Sequence, residues 1–268
     1  MPVLPDDETW AVTEFAEAEL GDLRRTQRLV ALATVLGQHP NGALPEACGA
    51  PAMLKAAYRF FDNAAIDPRD ILQSHVDATL PRLAAMPLVL AVQDTTELDW
   101  TAHPATTGLG PLGHPAHRGL LVHTTVAFTP ERVPLGVLAQ QVWARDPEAI
   151  GQRATRKQRP IAEKESQKWL TSLEAVVAAR VACPQTRLIS VGDREADVYD
   201  LLAVDRPADV DLLIRAAWDR CVTQAAHTVW ATVAAQAVAA TCTVHVPRRG
   251  GHPARTATLT VRWCPLTT

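Results

Sequence analysis

Two short apolar runs constrain this chain more than any other feature: residues 87–92 (Pro-Leu-Val-Leu-Ala-Val) and 187–191 (Arg-Leu-Ile-Ser-Val). The first has no polar alternation, so both faces of the strand it predicts must be covered, as in the middle of a sheet flanked by helices. Each run meets an acid almost at once, Asp94 after Gln93 and Asp193 after Gly192. A carboxylate at the C-terminal end of a central strand is held rigidly at the rim of the sheet, where ligand sites of α/β proteins lie. Residues 120–128 and 134–142 read as two more strands, and Thr129-Pro130-Glu131-Arg132 between them suggests a hairpin. Trp169, Leu170, Leu173, Val176 and Val177 repeat at helical spacing within 164–181. A helix over 196–202 and a strand over 210–216 complete a mixed sheet with helices on its faces.

The segment before this sheet reads as helical from about residue 10 to residue 70. Asp22 is placed to cap a helix over 23–36, whose Leu29, Leu32, Ala33 and Leu36 share one face, and Gly37 to Gly42 stops it. A second helix covers 51–62, with Met53, Ala56, Ala57 and Phe60 inward, and a third starts after Asp67-Pro68 and passes through Ile71, His75 and Leu80. Past the sheet, 228–240 reads as a helix. Strands over 241–246 and 257–263 follow, joined across Pro247-Arg248-Arg249-Gly250-Gly251.

No apolar run approaches the ~18 residues of a membrane span, and the opening Met-Pro-Val-Leu-Pro-Asp-Asp-Glu lacks the basic start of a signal peptide. Five scattered cysteines with no Cys-x-x-Cys pair suit reduced thiols in a cytosol. A net charge of -3 argues against binding a polyanion by bulk electrostatics alone. The distribution is uneven: after Leu212 the sole acid is Asp219, against Arg215, Arg220, Arg248, Arg249, Arg255 and Arg262. Arg153, Arg156, Lys157 and Arg159 form another basic stretch. Such clusters suit either a polyanion or plain solvation.

The chemistry-bearing candidates are the two strand-end acids. Asp94-Thr95-Thr96-Glu97-Leu98-Asp99 and Asp193-Arg194-Glu195-Ala196-Asp197 each gather more charge than a turn needs. Carboxylates from neighbouring strands can share a Mg²⁺, a hard cation that takes oxygen ligands. Two such ions about 3.5–4 Å apart clamp the attacking and leaving oxygens of a phosphodiester. Taken singly, each acid also suits a turn or a helix cap. Gly108 to Gly113 has the letters of a dinucleotide fingerprint but follows no predicted strand and opens no helix. His114 and His117 read as loop residues without a ligand set, and His123 as a core or rim histidine on a strand. No Ser or Cys sits in a nucleophile elbow.

Together these residues resemble the cut-and-paste DDE transposases of the insertion-sequence-four group, and within it the transposon-five enzyme and its relatives. The resemblance runs from Trp10 through Leu20-Gly21-Asp22-Leu23-Arg24-Arg25-Thr26-Gln27-Arg28-Leu29 and Ala57-Tyr58-Arg59-Phe60-Phe61-Asp62-Asn63 to Gln93-Asp94-Thr95-Thr96. It continues through Arg118-Gly119-Leu120 with His123, Glu163-Lys164-Glu165-Ser166-Gln167-Lys168-Trp169, Val191 to Asp197, and Pro253-Ala254-Arg255-Thr256-Ala257. It implies an α/β chain in three parts. A helical DNA-binding domain takes residues 1–75, an incomplete RNase H-like mixed-sheet catalytic core 76–222, and the start of a β-rich insertion 223–268. Asp94 and Asp193 become the first two catalytic, metal-binding carboxylates, with Mg²⁺ (or Mn²⁺) as cofactor. Arg24, Arg25, Arg28 and Arg59 become contacts to DNA phosphates or bases, Arg24 and Arg28 lying one helical turn apart. Arg215 matches a DNA-contacting position near the site. The implied partner is double-stranded DNA at transposon ends, with a homodimer or pairing with a full-length transposase, in a cytoplasmic, nucleoid-associated setting.

One departure qualifies the activity. The family's third carboxylate is a Glu on a helix beyond the insertion, and here no glutamate follows Glu195. The expectation is a C-terminally truncated transposase, inactive alone, since losing one member of a catalytic unit costs orders of magnitude in rate. The alternatives are a non-catalytic DNA-binding remnant that inhibits a full-length transposase, and the product of a decayed gene with exposed strand edges after Thr241.

Overall fold

The computed structural model describes residues 9–114, 116–147, 159–224 and 226–267. The basic residues Arg153, Arg156 and Lys157 lie outside them. By its contacts the chain forms two units, residues 1–215 and 216–268.

The first unit opens with five helices: α1 (Thr9–Phe15), α2 (Leu23–Gln38), α3 (Leu44–Cys48), α4 (Pro51–Phe61) and α5 (Pro68–Ala84). Their starts follow local chemistry. Asp22 accepts from the backbone N–H of Arg24 at 2.8 Å, and Asp67 from that of Arg69 at 2.9 Å. Each bond satisfies a donor that a helix N-terminus otherwise leaves without a partner. Pro51 and Pro68 occupy first-turn positions, where a missing N–H is harmless. Leu29, Leu32, Ala57 and Phe60 are buried together with Ala18, Leu20 and Cys48 in a core of this segment's own. α1 closes on α2 at Gly37, where a Cβ would stand 2.5 Å from Trp10 Cζ2. α5 carries the chain through position 75 without a break.

The sheet contains β1 (Leu88–Asp99), β2 (Gly110–Pro111), β3 (Arg118–Phe128), β4 (Pro134–Trp143), β5 (Arg187–Gly192) and β6 (Val210–Ile214), with α6 (Gln167–Ala182) before β5 and α7 (Tyr199–Ala203) before β6. The strand order is β4-β3-β1-β5-β6, and the short β2 pairs with the start of β3. β3 runs antiparallel to both β1 and β4, whereas β5 and β6 run parallel to β1. β3 and β4 form the expected hairpin. One face of the sheet carries Val89, Ala91, Ala127 and Leu188, which pack with Leu83 of α5 and with Trp169, Leu173 and Val176 of α6.

β1 is longer than its apolar run predicts. The strand does not end before Asp94 but continues to Asp99, because residues 94–99 pair with β3 down to Asp99↔Gly119. Asp94 is therefore inside a strand, at the point where pairing with β5 has stopped. The predicted helix over 196–202 is a single 3-10 turn, Arg194–Ala196, followed by α7.

The second unit contains α8 (Val229–Ala234) and the antiparallel pair β7 (Ala240–Val246) and β8 (Arg255–Val261). α8 is much shorter than the helix predicted over 228–240. The backbone N–H of Ala239 already donates to Val261, so the ladder claims residues the helix would have used.

Candidate functional site

Register places the strand-end residues. β1 and β5 pair in parallel up to Val92↔Val191, and Asp94 and Asp193 each lie two residues further on. β5 and β6 pair up to Gly192↔Ile214, after which the N–H of Arg215 donates to Gly192 O at 3.1 Å. Asp94, Asp193 and Arg215 thus occupy one level across three adjacent parallel strands. All three are exposed.

The two acids differ in their surroundings. Asp193 caps the turn that follows it, with Oδ1 accepting from the N–H of Glu195 at 2.8 Å. Its Oδ2 remains available. The Asp94 carboxylate makes no hydrogen bond or ion pair among the described residues. Two exposed carboxylates at one level are oxygen donors of the kind Mg²⁺ or Mn²⁺ prefers. No group of three or more His, Cys, Asp or Glu suited to a metal ion occurs among the described residues.

A buried polar chain lies beneath this level. Gln93 Nε2 donates to Ser190 Oγ at 2.6 Å, and Gln93 Oε1 lies 3.3 Å from His123 Nε2. His123 Nδ1 lies 2.9 Å from Thr95 Oγ1, and its ring meets Trp169 edge-on at 4.6 Å. His123 is wholly buried. Its burial, and then the nearby Lys168 ammonium, push the imidazole down to about 4, so it is neutral at ordinary pH. Charged residues rim the site: Arg145 bridges Glu165 at 2.5 Å and Glu97 at 3.6 Å, and the nearly buried Lys168 reaches Glu195 at 3.4 Å. Lys168 Nζ also stands 5.3 Å from the centre of the Trp169 ring. His114 and His117 remain loop residues, with His117 held by Asp99 at 3.1 Å.

The second feature is an open groove of about 510 Å³ between α2 and α4, into which Arg24, Arg25, Arg28 and Arg59 all converge. Lys55, which the sequence reading passed over, lines it too. The available signal was its spacing: Lys55 and Arg59 are one turn apart on α4, as Arg24 and Arg28 are on α2. The five cations are not equivalent. Arg24 is engaged by Asp22 at 2.8 Å, and this pairing holds the Asp22 carboxyl down at about 2. Arg25 donates to the carbonyls of Leu20 at 2.9 Å and Ala65 at 3.3 Å, tying the start of α2 to the loop after α4. Among the described residues Arg28 meets only the Met53 sulfur, at 4.0 Å. The side chains of Lys55 and Arg59 are exposed and make no hydrogen bond or ion pair among the described residues. A groove walled by five cations and no acid suits a polyanion.

No helix among the described residues is long and apolar enough to cross a membrane. All five cysteines are free thiols. Residues 7–66, which contain all five of the groove's cations, match the family model described as transposase DNA-binding, a match that supports a transposase family and a DNA-binding function for this chain.

Proposed function

We propose that this chain is a DDE transposase of the insertion-sequence-four group, related to the transposon-five enzyme. Its helical segment binds transposon-end DNA at the α2/α4 groove, and its sheet carries two of the carboxylates of a phosphoryl-transfer site. The observation that carries the proposal is the shared level of Asp94 and Asp193 on adjacent parallel strands. An antiparallel β4-β3-β1 half joined to a parallel β5-β6 half supports reading the sheet as RNase H-like. In this reading Asp94 and Asp193 would hold Mg²⁺ or Mn²⁺. Bound there, the ion would supply Lewis-acid stabilisation of charge on a phosphodiester. Arg215, at the same level, holds a DNA phosphate beside the acids. A second copy or a full-length transposase pairs with the chain on DNA.

Among the described residues no third acid gathers at the pair, so these residues alone cut and join DNA poorly. That same observation favours a second reading, in which the chain occupies transposon ends without catalysis and inhibits a full-length transposase. Two measurements on the purified chain test both. A gel shift should show preference for transposon-end DNA over random duplex, and no preference would overturn both readings. Incubation with Mn²⁺ and end DNA should give no strand cleavage. Cleavage that disappears in Asp94→Asn would retire the inhibitor and establish an active enzyme.

A further inference from the structure

We infer that Thr95, His123, Gln93 and Ser190 form a positioning relay that sets the separation of Asp94 from Asp193. The inference rests on the reading of these two acids as a metal pair. The backbone ladder between β1 and β5 stops at Val92↔Val191, two residues short of the acids. At that end the side chain of Gln93 ties the two strands a second time, reaching back diagonally to Ser190, the partner of Ala91, at 2.6 Å. Gln93 and Thr95 flank Asp94 in the sequence, so whatever fixes these two fixes the backbone that carries the carboxylate.

The bonds run in one direction. Gln93 Nε2 donates to Ser190, which leaves Gln93 Oε1 to accept from His123 Nε2–H. His123 Nδ1 then accepts from the Thr95 hydroxyl at 2.9 Å. Gln93 and His123 each bond on both sides, and the imidazole lies edge-on against Trp169. Gln93, His123 and Ser190 are 3%, 0% and 0% exposed, so none of them reaches a ligand. Burying such a chain gains little over apolar packing, but a fully satisfied network selects one arrangement of the strands it crosses. Here it crosses β3, β1 and β5 where β1 and β5 part company. These are positioning residues. They touch no substrate, and they act through Asp94.

The test measures Mn²⁺ binding to the purified chain by calorimetry, alongside thermal melting. Gln93→Met keeps length and burial and removes both bonds; it should weaken Mn²⁺ about 10-fold, the usual effect of losing a group that orients a metal ligand. Ser190→Ala and Thr95→Val should weaken it in the same direction, and Thr95→Ser, which retains the hydroxyl, should restore it. Thr125→Val is the control for mere structural damage. Thr125 is equally buried on β3 and its hydroxyl has no partner among the described residues, so this change should leave Mn²⁺ affinity alone. A second readout needs no native metal site: Asp94→Cys with Asp193→Cys, with Cys221, Cys242 and Cys264 changed to Ser, should capture Cd²⁺. Adding Gln93→Met should weaken that capture about 10-fold as well. Absence of Mn²⁺ binding in the unmodified chain, with Gln93-dependent Cd²⁺ capture, would remove the metal reading and leave the relay standing. Mn²⁺ and Cd²⁺ affinities unmoved by Gln93→Met, Ser190→Ala and Thr95→Val would overturn the relay. So would failure of the folded cysteine pair to capture Cd²⁺.

Discussion

Glu14 of α1 accepts a hydrogen bond from His75 Nδ1 of α5 at 2.6 Å, and its other oxygen takes the guanidinium of Arg82 one helical stretch further on. The opposite nitrogen of His75 accepts from the backbone N–H of Val137 in β4 at 2.8 Å. One imidazole therefore ties the helical segment to the sheet. Arg82 also donates to Thr79 at 2.8 Å, and its Nε has no partner among the described residues. Removing Glu14 leaves a half-buried guanidinium and a fixed imidazole without their acceptor. Glu14→Ala should cost about 3 kcal/mol of unfolding free energy, in the range of a broken buried ion pair. Urea denaturation measures it, and a loss below about 1 kcal/mol, the worth of an exposed pair, would show that the network does not hold α1 in place.

The groove between α2 and α4 makes a different prediction for each cation. Lys55 and Arg59 are exposed and uncommitted, whereas Arg25 is spent on backbone carbonyls. Lys55→Ala and Arg59→Ala should each weaken DNA binding at all sequences and lower the salt slope by about 1, as expected when one phosphate contact is lost. Arg25→Ala should lower the melting temperature as well as the affinity. A salt slope unchanged in both Lys55→Ala and Arg59→Ala would place the DNA elsewhere.

Legibility in the sequence followed the range of the interaction. Asp22 and Asp67 announced their helices because a cap bond spans two residues. The β3–β4 hairpin was equally local. The length of β1 was not legible: residues 94–99 are polar, and only the distant β3 makes them a strand. α8 shrank for the same reason, since β8 recruits its expected C-terminal end. Asp94 and Asp193 could each be proposed from a strand and an acid, but their common level depends on a register between segments 99 residues apart. Gln93 stood in the Gln93-Asp94-Thr95-Thr96 motif, but its bonds to Ser190 and His123 carried no signal, as a Gln and a Ser in sequence are ordinary polar residues. Lys55 became visible once α2 and α4 stood side by side. The alternation around His123 did announce a residue facing inward, though not what it bonds.

Close approach of α5 and β4 yields a packing prediction. A Cβ on Gly136 would stand 2.1 Å from Thr79 Oγ1, and the backbone there has φ 152°. Thr79 is wholly buried and cannot retreat, and its hydroxyl is committed to His75 O and Arg82. Gly136→Ala should destabilise by about 3 kcal/mol through overpacking. Thr79→Ser combined with Gly136→Ala should recover part of this, because it removes the methyl that also crowds the site. Full stability of Gly136→Ala alone in a urea titration would contradict the contact.

His123 gives the pH dependence its sign. Its folded-state value, about 4, lies below the ordinary 6.5 because burial and the Lys168 charge disfavour the imidazolium. Above pH 6.5 both folded and unfolded chains hold it neutral, and its contribution to stability is complete. As the pH falls from 6.5 towards 4 the unfolded chain takes up a proton that the folded chain refuses, so stability drops; below 4 the loss levels off. The full fall is about 3 kcal/mol at 1.36 kcal/mol per pH unit. Carboxylates titrate in the lower part of the same window, so the comparison is between the unmodified chain and His123→Gln, which keeps a hydrogen-bonding side chain without the titration. The variant should be less stable at pH 7.5, and the gap should close on acidification to pH 4.5. A gap that stays constant across that range would mean that His123 takes up its proton in the folded state as readily as in the unfolded one.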